Sequence, residues 1–223
     1  MKFPILCTLF FVGSVISSCS TSRVIKPLAK GEQQISASLG GPLIKFGGLI
    51  IPIPYTSIAY ARGIDSNLSV FGGLHTTSLL FGNLQTDIGA TYQICKQKNK
   101  IPAFTVSPVL NTIYGFSASK LKLYPELNLN TYWEYGKKRK NLVYASVSNW
   151  FVLNKSKAYQ QPQKARWIPS FIIGNTWNKT KWAYTIEMRL LAPSYSNQKL
   201  VVDYATPMNN GAFGLYFGLT RKF

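Results

Sequence analysis

The last thirteen residues of the chain, G-A-F-G-L-Y-F-G-L-T-R-K-F, leave few folds open. Their large apolar side chains fall on one parity: Phe213, Leu215, Phe217, Leu219 and the terminal Phe223. Ala212, Gly214, Tyr216, Gly218, Thr220 and Lys222 occupy the other. A period of two is an extended strand whose faces meet different surroundings. One greasy face and one small, polar face fit hydrocarbon outside and a crowded, wet lumen inside.

The same alternation recurs along the chain. It predicts an all-β fold, an antiparallel up-and-down transmembrane β-barrel of about ten strands. Eight or twelve follow if one weak strand is miscounted. Expected strands cover about 32–39, 55–64, 68–81, 84–95, 101–116, 121–135, 141–153, 165–177, 181–192 and the closing stretch 211–223. The sharpest sets Leu121, Leu123, Leu127, Leu129 and Trp133 against Lys122, Tyr124, Glu126, Asn128, Asn130 and Tyr132. No stretch after residue 19 has the roughly twenty apolar residues of a membrane helix. A membrane chain of this kind must therefore close into a cylinder, because hydrocarbon cannot satisfy an open sheet edge. Charged residues are only 14% of the chain, which fits a large area facing lipid. Tyr55, Trp133, Trp150, Trp167, Trp177 and Trp182 fall near strand ends and are candidates for interfacial girdles.

The chain's aromatic end resembles the terminal strand of bacterial outer-membrane β-barrels, with Phe217, Leu219 and Phe223 as the closing signal. Its start adds an address. Lys2 precedes an apolar run that ends in Val15-Ile16-Ser17-Ser18-Cys19, too short at its centre for a membrane span. This resembles the bacterial lipoprotein signal, which implies a signal peptide over 1–18 and a palmitate-type lipid on Cys19. The alternative is an ordinary signal peptide with a chance cysteine. Residues 19–31 then read as a lipidated periplasmic tether and 32–223 as the barrel. In lipoproteins of the Bacteroidota an acidic cluster just after the cysteine resembles a surface-export signal. None follows Cys19, which favours an amino terminus and lipid anchor on the periplasmic side. Cys7 leaves with the signal and lipid blocks Cys19, so Cys95 alone cannot build a disulfide framework.

The net charge of +18 raises nucleic acid as a partner. Placement argues against it. Lys96, Lys98 and Lys100, then Lys137, Lys138, Arg139 and Lys140, then Lys179 and Lys181, all fall in short turns where solvated charge belongs. The turns near 65, 97, 138 and 179 are short, and those near 47, 158 and 201 are longer. With an even strand number and both ends periplasmic, the first set is periplasmic and the second extracellular. The basic turns are candidates for touching an acidic partner or inner-leaflet headgroups.

Asp87, Lys122, Glu126, Glu187 and Arg189 fall at inward parity, as does Glu134. Inside a narrow barrel such charges must pair or stay hydrated. They form either a salt-bridge network that fills the lumen or the lining of a selective pore. The sole histidine, His75, stands in L-H-T-T-S and invites comparison with outer-membrane lipid A deacylases. Ser78 does not share its parity, and no acid can be placed beside it. No catalytic residues, metal ligands or cofactor are expected beyond the covalent lipid on Cys19. The stretch from Gly40 to Pro54 is either a pair of strands extended above the membrane or an apolar docking surface for a partner.

The whole is similar to uncharacterised outer-membrane barrel lipoproteins of the Bacteroidota. That resemblance covers the signal, the alternation and the terminal aromatic. It implies a non-enzymatic structural or accessory subunit of an outer-membrane assembly, surrounded by outer-membrane lipid and contacting no nucleic acid. A narrow channel is the second reading and a lipid A-modifying enzyme the third.

Overall fold

Wherever the chain alternates it forms strands, and the strands close on themselves. The computed structural model describes residues 20–117, 119–153, 166–197, 202–206 and 209–223. In chain order the elements are β1 (Gln33–Phe46), β2 (Leu49–Pro52), β3 (Thr56–Asp65), β4 (Leu68–Leu74), α1 (Thr76–Leu80), β5 (Asn83–Cys95), β6 (Ala103–Gly115), β7 (Lys120–Tyr135), β8 (Asn141–Phe151), β9 (Trp167–Asn178), β10 (Trp182–Ser196) and β11 (Asn210–Lys222). Each strand from β3 to β11 pairs antiparallel with the next, β3 pairs with β1, and β11 returns to β1. The result is a closed ten-strand barrel. The four-residue β2 pairs only with the far end of β1 and stands outside the cylinder.

The two faces of the wall are inverted relative to a water-soluble protein. Ile88, Ile173 and Met188 point outward and are 70%, 66% and 59% exposed, while Glu187 and Tyr216 point inward and are 0% exposed. An apolar belt around polar interior residues is stable only where hydrocarbon covers the belt. Closure removes every unpaired edge from that belt. The wall therefore spans a membrane. Trp133, Trp167, Trp177 and Trp182 face outward near strand ends, as an aromatic girdle requires. Trp150 does not: it turns inward beside Tyr124, their ring centroids 5.8 Å apart.

Three stretches depart from the sequence reading. The third barrel strand stops at Leu74 instead of running on to residue 81, because Leu79, Leu80 and Phe81 break the alternation and α1 forms over 76–80. Thr76 and Thr77 fix that turn through the Thr56 hydroxyl, 2.7 and 2.8 Å away. Next, the stretch from Gly40 to Pro54 takes the extended-strand alternative. β1 continues to Phe46 and folds back as β2, leaving Phe46, Leu49 and Ile50 exposed. Gly40 is required there, since its φ is +136° and a Cβ would lie 2.2 Å from the Leu215 carbonyl oxygen. Finally, the β1–β11 seam is shorter than either strand. Direct pairing runs from Gln34 opposite Lys222 to Pro42 opposite Gly214. Above it the chain around 203–205 is wedged in. Lys45 N donates to Asp203 O (2.8 Å), Ala205 N to Leu43 O (2.8 Å) and Phe213 N to Ala205 O (2.9 Å).

Ile173→Arg places a cation in the middle of the belt. It should cost about 2–4 kcal/mol of unfolding free energy in lipid vesicles. Unchanged stability on guanidinium titration would mean that this face meets water.

Candidate functional site

The lumen holds a piece of the chain's own start. Residues 20–31, expected to hang below the barrel as a tether, run up its interior instead. Ser20, Thr21, Val24, Ile25 and Leu28 are all buried. An extended segment without a sheet partner needs another source of hydrogen bonds for its backbone. The inner wall supplies it. Ser22 N donates to Glu187 Oε1 (2.7 Å) and Leu28 N to Ser69 Oγ (2.8 Å). In the other sense, Thr91 Oγ1 donates to Val24 O (2.8 Å) and Thr105 Oγ1 to Ile25 O (2.9 Å). Apolar side chains of the segment reach small patches of the wall: Val24 and Leu28 meet Ala61 and Phe71, and Ile25 meets Tyr132 and Ile172. The segment also needs room. A Cβ at Gly63 would fall 2.0 Å from Ala29 O, and one at Gly73 would fall 2.4 Å from Arg23 Nη2.

Charge fixes the segment in place. Arg23 grips Asp87 with two nitrogens, Nε to Oδ1 at 3.0 Å and Nη2 to Oδ2 at 2.5 Å, and donates through Nη1 to Ser57 Oγ at 2.9 Å. A bidentate, desolvated pair of this kind is geometrically specific, and removing one partner strands the other in a dry site. Glu187 forms a second centre. It accepts from Arg189 Nη2 (2.6 Å), from the Tyr144 hydroxyl (2.6 Å) and from the Ser22 amide, while Arg189 lies 4.7 Å above the Tyr216 ring. Glu126 accepts from Asn111 Nδ2 (2.8 Å) and Ser148 Oγ (2.7 Å).

Four of the five charges expected in the lumen, Asp87, Glu126, Glu187 and Arg189, are therefore buried there. Only Glu187 and Arg189 pair with each other. Lys122 is half-buried on β7 and has no ion pair among the described residues. The cation that answers Asp87 is Arg23, in the stretch read as a tether. Lys26, from the same stretch, pairs with Glu134 at the mouth. The signal that could have found them is a mismatch of sign: inward acids outnumber inward bases on the strands, and two cations three residues apart lie just upstream.

His75 acquires the acid that sequence could not place, with Nε2 3.0 Å from Asp87 Oδ2. No nucleophile completes it. Its Nδ1 is buried without a hydrogen-bond partner, Ser78 Oγ donates to Gln85 Oε1 (2.7 Å), and Ser57 is held by Arg23. Among the described residues no hydroxyl is hydrogen-bonded to the imidazole, and no group of side chains could hold a metal ion. The cavity beside the segment measures about 40 Å³, room for little more than water. Cys95 is free and exposed. Phe217, Leu219 and Phe223 lie on the outer face of β11, and Phe223 N donates to Gln33 O (2.9 Å) at the seam. Cys19 and the signal over 1–18 lie outside the described residues.

Alongside the segment, toward β8–β11 and β1, the lumen widens. At the end bearing the short turns a cavity of about 700 Å³ is lined by the segment and by the inner wall. Lys26, Lys138, Arg139, Lys140, Lys179 and Lys222 face it, against Glu32 and Glu134. The site is thus a cup, plugged at its floor and basic at its rim.

No protein-family model matches the chain, and no curated protein does. Solved structures similar to it include an outer-membrane channel from Pseudomonas putida F1, at 9% identity and a TM-score of 0.48 over 91% of this chain and 99% of that one. The translocator domain of the autotransporter NalP from Neisseria meningitidis has 9% identity and a TM-score of 0.44 over 89% and 91%. The outer-membrane protein OprG from Pseudomonas aeruginosa has 10% identity and a TM-score of 0.34 over 90% and 99%. At TM-scores below 0.5 these likenesses assign no role to this chain.

Arg23→Met should weaken docking of the segment by about 3 kcal/mol, since it leaves Asp87 short of its cation. Amide exchange at Ser22 and Leu28 should then rise by roughly a hundredfold, while the barrel ladder keeps its protection. Equal acceleration throughout would mean that Arg23 holds the barrel rather than the plug.

Proposed function

We propose that this chain is a self-plugged outer-membrane β-barrel with a non-enzymatic, structural or accessory role in a larger assembly. The observation that carries the reading is the Arg23–Asp87 pair, which locks the N-terminal segment across the lumen. A ten-strand cylinder is little wider than the eight-strand kind that side chains alone can fill. Adding an internal segment leaves about 40 Å³ on one side of it and the cup of about 700 Å³ on the other. The short turns at one end and longer connections at the other orient the cup toward the periplasm. Two surfaces remain for an assembly to use: the exposed tip of the β1–β2 hairpin and the basic cup.

The gated channel is the second reading, and one observation favours it. The 700 Å³ cup reaches the plug itself, so displacement of a few residues would extend it through the lumen. Enzymatic use of His75 has no support from the geometry around it.

Lipid on Cys19 stays part of this proposal. Ser20, the next residue, is buried in the lumen.

Two measurements test this. In planar bilayers the intact protein should carry no steady current, and deletion of residues 20–28 should produce discrete conductance steps. Steps from the intact protein would make it a channel. Intact mass of the membrane-extracted protein should show a chain beginning at Cys19 with its acyl chains, and a mass without them would remove the lipid anchor from the proposal.

A further inference from the structure

The cup at the short-turn end has features that plugging the barrel does not need. Its two carboxylates are already occupied: Glu134 pairs with Lys26, and Glu32 Oε2 accepts from Ala29 N at 3.0 Å. Lys138, Arg139, Lys140 and Lys179 have no ion pair among the described residues. They come from two separate turns, 136–140 and 179–181, and Lys222 adds a third position on β11. Lys138 and Arg139 have φ of 60° and 49°, the left-handed pair that a tight hairpin turn uses. Solvated charge alone does not require convergence on a cavity.

We infer that this cup binds an acidic peptide segment of a periplasmic partner, an inference that rests on the accessory role proposed above. Concave walls of low dielectric focus the field of like charges lining them, so the cup attracts anions more strongly than the same lysines on a flat surface. Its volume lies within the range of sites that enclose a ligand, and its cations are strung along one arc of the wall from the 136–140 turn to Lys222 on β11. A single phosphate fits neither feature, whereas a chain with carboxylates at intervals fits both. Lipid headgroups are disfavoured by direction. Headgroups meet the outward face at this level, which carries Trp133, Trp182 and Arg221, while the cup's cations line the axial side.

The test uses the full chain in zwitterionic detergent and a fluorescein-labelled oligoglutamate peptide, read by anisotropy. The peptide should bind, with affinity falling as salt rises. Lys138→Gln, Arg139→Gln, Lys140→Gln and Lys179→Gln combined should weaken it by about tenfold or more. Lys96→Gln, Lys98→Gln and Lys100→Gln combined, in a turn that does not line the cup, should leave affinity within about twofold. As a variant that gains rather than loses, Lys138→Glu, Arg139→Glu, Lys140→Glu and Lys179→Glu combined should bind an oligolysine peptide that the parent ignores. Equal loss in both charge-neutralised variants would reduce the effect to net charge and overturn the inference. So would failure of the peptide to bind, or its displacement by pyrophosphate or phosphatidylglycerol vesicles at equal anion concentration. A non-conducting barrel that ignores the peptide would overturn this inference alone. A conducting barrel that binds it would overturn only the plugged reading.

Discussion

A backbone amide without water must find another partner, and this requirement acts twice in the molecule. In the wall it forces closure: β11 returns to β1, and where those strands stop pairing at Pro42 and Gly214 the chain at 203–205 takes over the ladder. In the lumen it acts on residues 20–31, which have no ladder. There the wall's inward side chains do the work, each meeting one particular backbone atom: Ser69, Thr91, Thr105 and Glu187. An interior that only needed to be polar could use any such residue anywhere. An interior that seats a particular segment needs these residues at these heights.

The two sets of contacts differ in strength. The wall is a continuous cooperative ladder, and its belt is held by lipid. The segment is held by isolated hydrogen bonds, two small apolar patches and one desolvated ion pair at Asp87. Net gains of about 1 kcal/mol per hydrogen bond mean that much of its hold rests on Arg23. If one part of this molecule moves while the rest stays intact, it is the segment. That hierarchy links a closed barrel and a gated one without any change in the wall.

Much of the wall was legible from residues alone, because a period of two survives wherever one face meets lipid. Tyr216, Glu187, Thr105 and Asn130 all sit on the inward face that alternation assigned to them. Two stretches lie beyond its reach. Between Gly40 and Pro54 and between His75 and Phe81 the chain leaves the hydrocarbon zone, and alternation no longer reports on the fold. Trp150 was assigned by its position near a strand end, although its parity, shared with Tyr144 and Ser148, points inward. The plug was invisible for a different reason. Ser20 to Gly31 reads as a polar tether, and only the placement of Gly63, Gly73 and Asp87 on neighbouring strands gives it a track. Strand alternation reveals which way each of those residues faces, but not that Gly73 lies opposite Asp87 with Gly63 further along the same path.

The seat itself can be observed directly. A Cβ at Gly218 would lie 3.3 Å from the Thr21 side chain, which brings cysteines at these two positions within disulfide reach. With Cys19→Ser and Cys95→Ser as background, Thr21→Cys and Gly218→Cys should yield a peptide linking residues 21 and 218 by mass spectrometry, in protein taken from membranes under mild oxidation. Its recovery in most molecules is the expected result. Its absence from a folded, membrane-inserted barrel would show that the segment lies elsewhere and would contradict the account.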